Sequence, residues 1–237
     1  MIHILNGDAL ADRFPKKSGD QLIIMRECLI DGDVSGETFD DFVETRDAFL
    51  SSTYPEIDED YMEYVLPELN KIRSLPDGIE INLWFEDDLF CQINFWFICN
   101  LIPKSSPIYL VRPEELNQWG FAKYTQDELN QLLEKRTFLS PKHLSKFAEL
   151  WKAYKAGKVD QIPEISETLT ADFPWLSTPV NALMDLVNSE KPQHFIKELI
   201  DTDPSPGFGE VFRALTENMP EYGFGDLQVR RMFDKIS

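Results

Sequence analysis

The sequence predicts an α/β fold: a small Rossmann-like parallel sheet of about four strands, followed by an all-helical C-terminal part. Three observations carry this. Apolar runs at 2–5, 22–25, 81–85 and 108–111 are short and almost uninterrupted, as strands buried on both faces of a parallel sheet must be. Helical periodicity fills the chain between them, and beyond residue 124 strand-like runs give way to helix-start signals.

The first unit is strand, turn and helix: residues 2–5, a tight turn that Gly7 permits, and a helix over about 8–14. A second strand over 21–25 leads to a loop holding Gly32 and Gly36. Thr38 then caps an amphipathic helix whose apolar stripe is Phe39, Phe42, Val43, Phe49 and Leu50. A second acidic helix is expected over about 57–73, with Ile57, Tyr61, Tyr64, Val65 and Ile72 inward and a break or kink at Pro67. Asp77-Gly78 turns into the third strand.

The helix over 88–102 is apolar on nearly every side, so it must be covered on both. The sheet is expected on one side of it and the C-terminal half on the other. Residues 108–111 close the sheet, with strand order 2-1-3-4. Two domains follow, 1–124 as the α/β part and 125–237 as a helical part packed on it. In the latter, Thr125 and Glu128 form a capping box, and Ser140-Pro141 starts a helix carrying Leu144, Phe147, Ala148, Trp151 and Tyr154. Thr178-Pro179 repeats that start, and shorter helices are expected near 192–201, 209–218 and 226–236. Gly207-Phe208-Gly209 and Gly223-Phe224-Gly225 read as turns.

The formal charge is −19 over 237 residues, so a phosphate-rich partner is repelled by most of the molecule. Nucleic acid and anionic membranes are therefore not expected as partners, and Arg230-Arg231 is too sparse a basic element to make the last helices a duplex-binding module. Between Asp31 and Glu63 the one basic residue, Arg46, stands among a dozen acids, a pattern usual for solvated helix faces. Cys28, Cys91 and Cys99 read as reduced, mostly buried thiols, and no stretch is long and apolar enough to span a bilayer. The expected location is cytoplasmic.

Asn6-Gly7-Asp8-Ala9-Leu10-Ala11-Asp12, Arg26-Glu27-Cys28-Leu29 with Gly32, and Trp84-Phe85-Glu86-Asp87-Asp88 with Cys91-Gln92 together resemble a bacterial family catalogued as domain of unknown function 1835. The resemblance covers roughly 1–124, and the tail ending Tyr222-Gly223-Phe224-Gly225-Asp226 looks like the tail such proteins carry. It implies an α/β N-terminal domain and brings no activity or catalytic residue with it.

If the four runs are parallel strands, the loops Asn6-Gly7-Asp8, Arg26-Glu27, Glu86-Asp87-Asp88 and Arg112-Pro113 share one sheet edge, where open α/β folds bind ligands. Dinucleotide and Walker loops are disfavoured, because the first turn lacks further glycines and a Gly-Lys-Ser/Thr ending. Asp8 is a helix cap or a ligand group. Asn6 and Gly7 offer an amide and a close backbone approach. Glu86, Asp87 and Asp88 either cap a helix or supply oxygens to a magnesium-like ion. Gln92 shares a helix face with Asp88. Arg46 lies on the inward stripe and needs an anionic partner. That partner is Asp8, Glu27 or Asp88, or else a bound anion held together with Arg26 and Arg112.

His3, His143 and His194 lie away from the edge, which disfavours Cys-His and Ser-His-Asp devices, and no Cys/His cluster suits zinc. Two functions remain. The first is binding of a small anionic, nucleotide- or phosphate-like ligand by Asn6, Gly7, Asp8, Arg26, Glu27, Arg46, Gln92 and Arg112. Glu86, Asp87 and Asp88 would then hold magnesium, and metal-assisted phosphoryl transfer or hydrolysis is the reaction class if one occurs. The second is a non-enzymatic interaction or regulatory protein, with structural ion pairs at the edge and a protein partner on the acidic or C-terminal helices.

Overall fold

A computed structural model describes residues 1–202 and 206–236; residues 203–205 and 237 of the expected helical part lie outside the described residues. The chain begins with β1 (Ile2–Asn6), α1 (Asp8–Ala11) and β2 (Gln21–Met25). Helices α2 (Phe39–Thr53), α3 (Tyr61–Tyr64) and α4 (Leu66–Arg73) lead to β3 (Ile81–Trp84), α5 (Leu89–Leu101) and β4 (Ile108–Val111). Then come α6 (Gln126–Glu134), β5 (Thr137–Leu139), α7 (Pro141–Lys155), α8 (Ile162–Glu167), α9 (Ser177–Ser189), α10 (Lys191–Thr202), α11 (Phe208–Asn218) and α12 (Asp226–Ile236). No helix among the described residues is long and apolar enough to cross a membrane.

The sheet order is β2-β1-β3-β4-β5, parallel except for β5. The four expected strands and their order are present. The fifth comes from the part expected to be wholly helical, where Thr137-Phe138-Leu139 pairs antiparallel with β4. Strand alternation sends successive side chains to opposite faces. Leu5, Trp84 and Val111 pack with Leu10, Phe14, Leu129 and Leu132 under one face. Ile4, Ile23, Leu83 and Leu110 belong to the main core on the other.

That main core centres on α5, whose Leu89 and Ile93 are fully buried. On its far side Phe95 meets Phe147 at 4.7 Å and Phe97 meets Trp151 at 4.8 Å, both partners lying on α7. This is the two-sided cover that an all-round apolar helix requires. Aromatic pairs of this geometry add about 0.5–1.5 kcal/mol each beyond their buried area.

Two helices differ from expectation. The helix over 8–14 is a single turn, because Pro15 disfavours helical backbone at Phe14; the Phe14 ring instead packs at 4.9 Å against both His3 and Trp84. The acidic helix over 57–73 is two pieces: Asp60 caps α3, and Pro67 stands in the first turn of α4, where its missing N–H costs nothing. Ile57 therefore precedes both pieces, and both it and Tyr64 are exposed rather than inward.

Candidate functional site at the carboxyl edge of the sheet

The strand order reverses between β1 and β3, and the loops that follow these two strands flank the switch point at which open sheets leave a crevice. Two adjoining cavities of about 380 and 330 Å³ open there, and Asn6, Phe90 and Gly225 line both. Asn6 is held in place: its Oδ1 accepts from Asn94 Nδ2 at 2.9 Å, and its Nδ2 reaches Cys91 Sγ at 2.9 Å. Asn94 Nδ2 also donates to the Glu27 carbonyl at 2.7 Å, so one α5 amide ties the ends of β1 and β2 together. Gly7 follows with φ 93° and donates to the Met25 carbonyl.

The larger cavity is bounded by the loops after β1 and β2, by α2, α3 and the segment between them, by Phe90, and by Gly225 to Gln228 at the start of α12. Asp8 sits in it without capping α1, so the capping alternative for Asp8 does not hold. Its carboxylate receives Arg26 Nε at 2.8 Å and Nη2 at 2.8 Å, a two-point pair that draws the carboxyl below its ordinary range. Arg26 also lies 4.0 Å over the Tyr64 ring and donates to the Tyr64 carbonyl. Glu27 lines the same cavity but is spoken for: Arg46 Nη2 donates to it at 3.0 Å, and the Tyr61 hydroxyl donates at 2.5 Å. Burial pushes the neighbouring Cys28 thiol up to about 12, which leaves it protonated and inert.

Arg46 is wholly buried and lines neither cavity. Besides Glu27 it donates to the carbonyls of Cys28, Asp31 and Asp33, so no donor is left for a ligand. Arg112 pairs with Asp87 and lies 4.4 Å over the Trp175 ring, outside both cavities. Each of the three expected arginines thus holds an internal carboxylate.

The three adjacent acids part company. Asp87 turns to Arg112, while Glu86 and Asp88 face the smaller cavity. Asp88 caps α5 by accepting from Cys91 N at 2.9 Å, and Gln92 reaches back to the Glu86 carbonyl at 2.7 Å, as their shared helix face implies. Glu86 accepts from Phe121 N at 2.6 Å. Donor atoms of Glu86, Asp88 and Cys91 lie within 4.8 Å of one another. Burial raises both carboxyls, and the Glu86 charge adds to the effect on Asp88, which is pushed up to about 7. Magnesium prefers an all-oxygen shell, whereas the third donor here is a thiol, a set better matched to zinc.

Two glycines lie against the Glu86 and Asp88 carboxylates, with no local signal for it in the sequence. A Cβ at Gly223 would overlap the Asp88 carboxylate, and one at Gly120 would overlap that of Glu86. Gly223 lies in the tail segment read only as a turn, and nothing local links it to Asp88. The tail closes the edge: Gly223, Phe224 and Gly225 line the smaller cavity, and Asp226, Leu227 and Gln228 the larger.

No family model, no curated protein and no solved structure matches this chain.

Proposed function

We propose that this chain binds a small molecule in the crevice at the carboxyl edge of its sheet, and that Asn6, Asp8 and Arg26 orient it. One observation carries the proposal: the larger cavity lies at the strand-order reversal and is walled by Leu50, Tyr54, Tyr61, Tyr64 and Phe90 around the Asp8–Arg26 pair. Small-molecule sites combine such an apolar wall with a few fixed polar groups. Asp8 offers acceptors and Arg26 donors, which suits a ring compound bearing hydroxyl or amine groups. A phosphate ligand has one guanidinium to use, and the charge of that guanidinium is already matched by Asp8. The family resemblance names no chemistry and carries none of this.

The test is a thermal-shift panel of nucleosides, nucleotides, sugar phosphates and aryl amines, with and without magnesium, on the wild type and on Ser51→Trp. Ser51 is exposed on α2 at the cavity wall, so tryptophan there fills the space without touching the core. Ligand at a hundredfold its Kd stabilises the fold by about 2.7 kcal/mol, or roughly 5–10 °C for a chain of this size. At least one compound raises the Tm of the wild type and not of the variant. A panel that shifts neither protein overturns the proposal.

The regulatory alternative has one observation in its favour: Arg46–Glu27 and Arg112–Asp87 are internal pairs, as it requires. A docking face on the acidic helices loses its partner when salt is raised, so capture at low and high ionic strength tests it.

A further inference from the structure

We infer that the ligand of the edge cavity is a small organic cation, an amine carried on an apolar or aromatic body. The inference rests on the small-molecule reading above and adds the charge class of the ligand, reversing the anion expected from the arginines.

The charges around the cavity do not balance. Among the residues lining the larger cavity, Arg26 is the single basic one, against Asp8, Glu27, Glu59 and Asp226. Arg26 is matched by Asp8, Glu27 by Arg46, and nearby Asp31 by Arg231. Glu59 and Asp226 have no basic partner among the described residues. Both are exposed, one from the loop before α3 and the other at the start of α12. An anion in the cavity they line meets uncompensated negative charge, and a cation supplies the missing positive charge.

The walls point the same way. The hydroxyls of Tyr61 and Tyr64 are committed to Glu27 and Asp8, and that of Tyr54 to Asp31. Tyr54 and Tyr61 are almost wholly buried, so Tyr64, 38% exposed, is the ring with most surface to offer a ligand, and a ring's negative face attracts cations. The protein already uses two of the rings in this way, with Arg26 4.0 Å over Tyr64 and Arg231 5.1 Å over Tyr54. Outside the cavity, the acidic run from Asp31 to Glu63 and the overall charge of −19 draw cations toward this face of the molecule.

The test compares three probes that share one ring and differ in charge: tyramine, tyrosol and 4-hydroxyphenylacetate. Each is titrated calorimetrically at 50 mM and 500 mM salt into the wild type, Glu59→Gln/Asp226→Asn and Ser51→Trp, with unliganded Tm values to show that the variants fold. Tyramine is expected to bind at least tenfold more tightly than tyrosol at low salt and 4-hydroxyphenylacetate more weakly than both. The double variant and high salt should erase the advantage of tyramine, and Ser51→Trp should abolish binding. Equal affinities, or tightest binding of the carboxylate, with Ser51→Trp still blocking it, would overturn the cation assignment and leave the cavity reading standing. No binding of any probe overturns the cation assignment, and only failure of the wider panel removes the small-molecule reading as well.

Discussion

Arg46 and Glu27 form an ion pair at 3.0 Å with both side chains completely out of solvent, Glu27 in the loop after β2 and Arg46 on the stripe that otherwise carries the apolar face of α2. Removing one member leaves the other charged and buried. Arg46→Ala should cost about 3–5 kcal/mol and lower the Tm by on the order of 10 °C, whereas the paired change Arg46→Met/Glu27→Leu should recover only part of the loss, because the Tyr61 hydroxyl and the carbonyls of Cys28, Asp31 and Asp33 lose their partners in the paired variant. Urea denaturation of the three proteins measures this. A single variant as stable as the wild type would mean that the pair does not hold α2 to the edge.

Asp88 has its carboxyl raised to about 7 from an ordinary 3.8. Between these values the folded chain keeps a proton that the unfolded chain has lost, so stability falls as pH rises from about 4 toward about 7 and stays lowered above it. Asparagine preserves the cap to Cys91 N and removes the charge. Asp88→Asn should therefore stabilise the fold by more than about 1 kcal/mol at pH 8 and by much less at pH 5, a pKa unit being worth about 1.4 kcal/mol. Denaturant midpoints at the two pH values decide, and a pH-independent effect contradicts the assignment.

Gly223 and Gly157 share a φ of 67°, yet only Gly223 has a carboxylate where a Cβ would go. Alanine at Gly157 should cost only the left-handed backbone penalty, about 1 kcal/mol. Gly223→Ala should cost at least about 1–2 kcal/mol more, because Asp88 must move. Equal losses at the two sites would remove the argument that the tail is shaped around Asp88.

Cys91 and Cys99 are buried, and burial holds both thiols well above their usual range. Cys28 borders the cavity and is also raised. Native protein at pH 8 should react with a disulfide reagent at least about a hundredfold more slowly than free cysteine, and denaturant should release all three thiols. Rapid labelling of Cys28 in the native state would show it to be an activated thiol.

Much of the sheet was legible because buried parallel strands advertise themselves as short apolar runs, and Arg46 stood out as a charge on an inward stripe. The capping boxes at Thr38 and Thr125 were visible as local spacings and occur as hydrogen bonds. What stayed hidden is non-local. Strand β5 is three residues long, and only pairing with β4 makes it a strand. Glu86, Asp87 and Asp88 read as one cluster, yet neighbouring side chains in a loop diverge, and Asp87 goes to Arg112. Cys91 read as core packing and is also the third donor beside Glu86 and Asp88. Gly223 approaches Asp88 from the far end of the chain, so no spacing rule could join them. Of the two readings open for Arg46, the internal pair is the one found, with Glu27; Arg26 and Arg112, read only as anion holders, also pair with internal carboxylates, which lie on other loops.

Backbone amide NMR of the wild type during titration with the strongest compound from the thermal-shift panel tests the central proposal most directly. Saturable shifts concentrated at Gly7, Ser51, Gly225 and Leu227, the amides around the larger cavity, are the predicted result. Shifts scattered over the exposed helices, or confined to residues remote from the strand-order reversal, would contradict it.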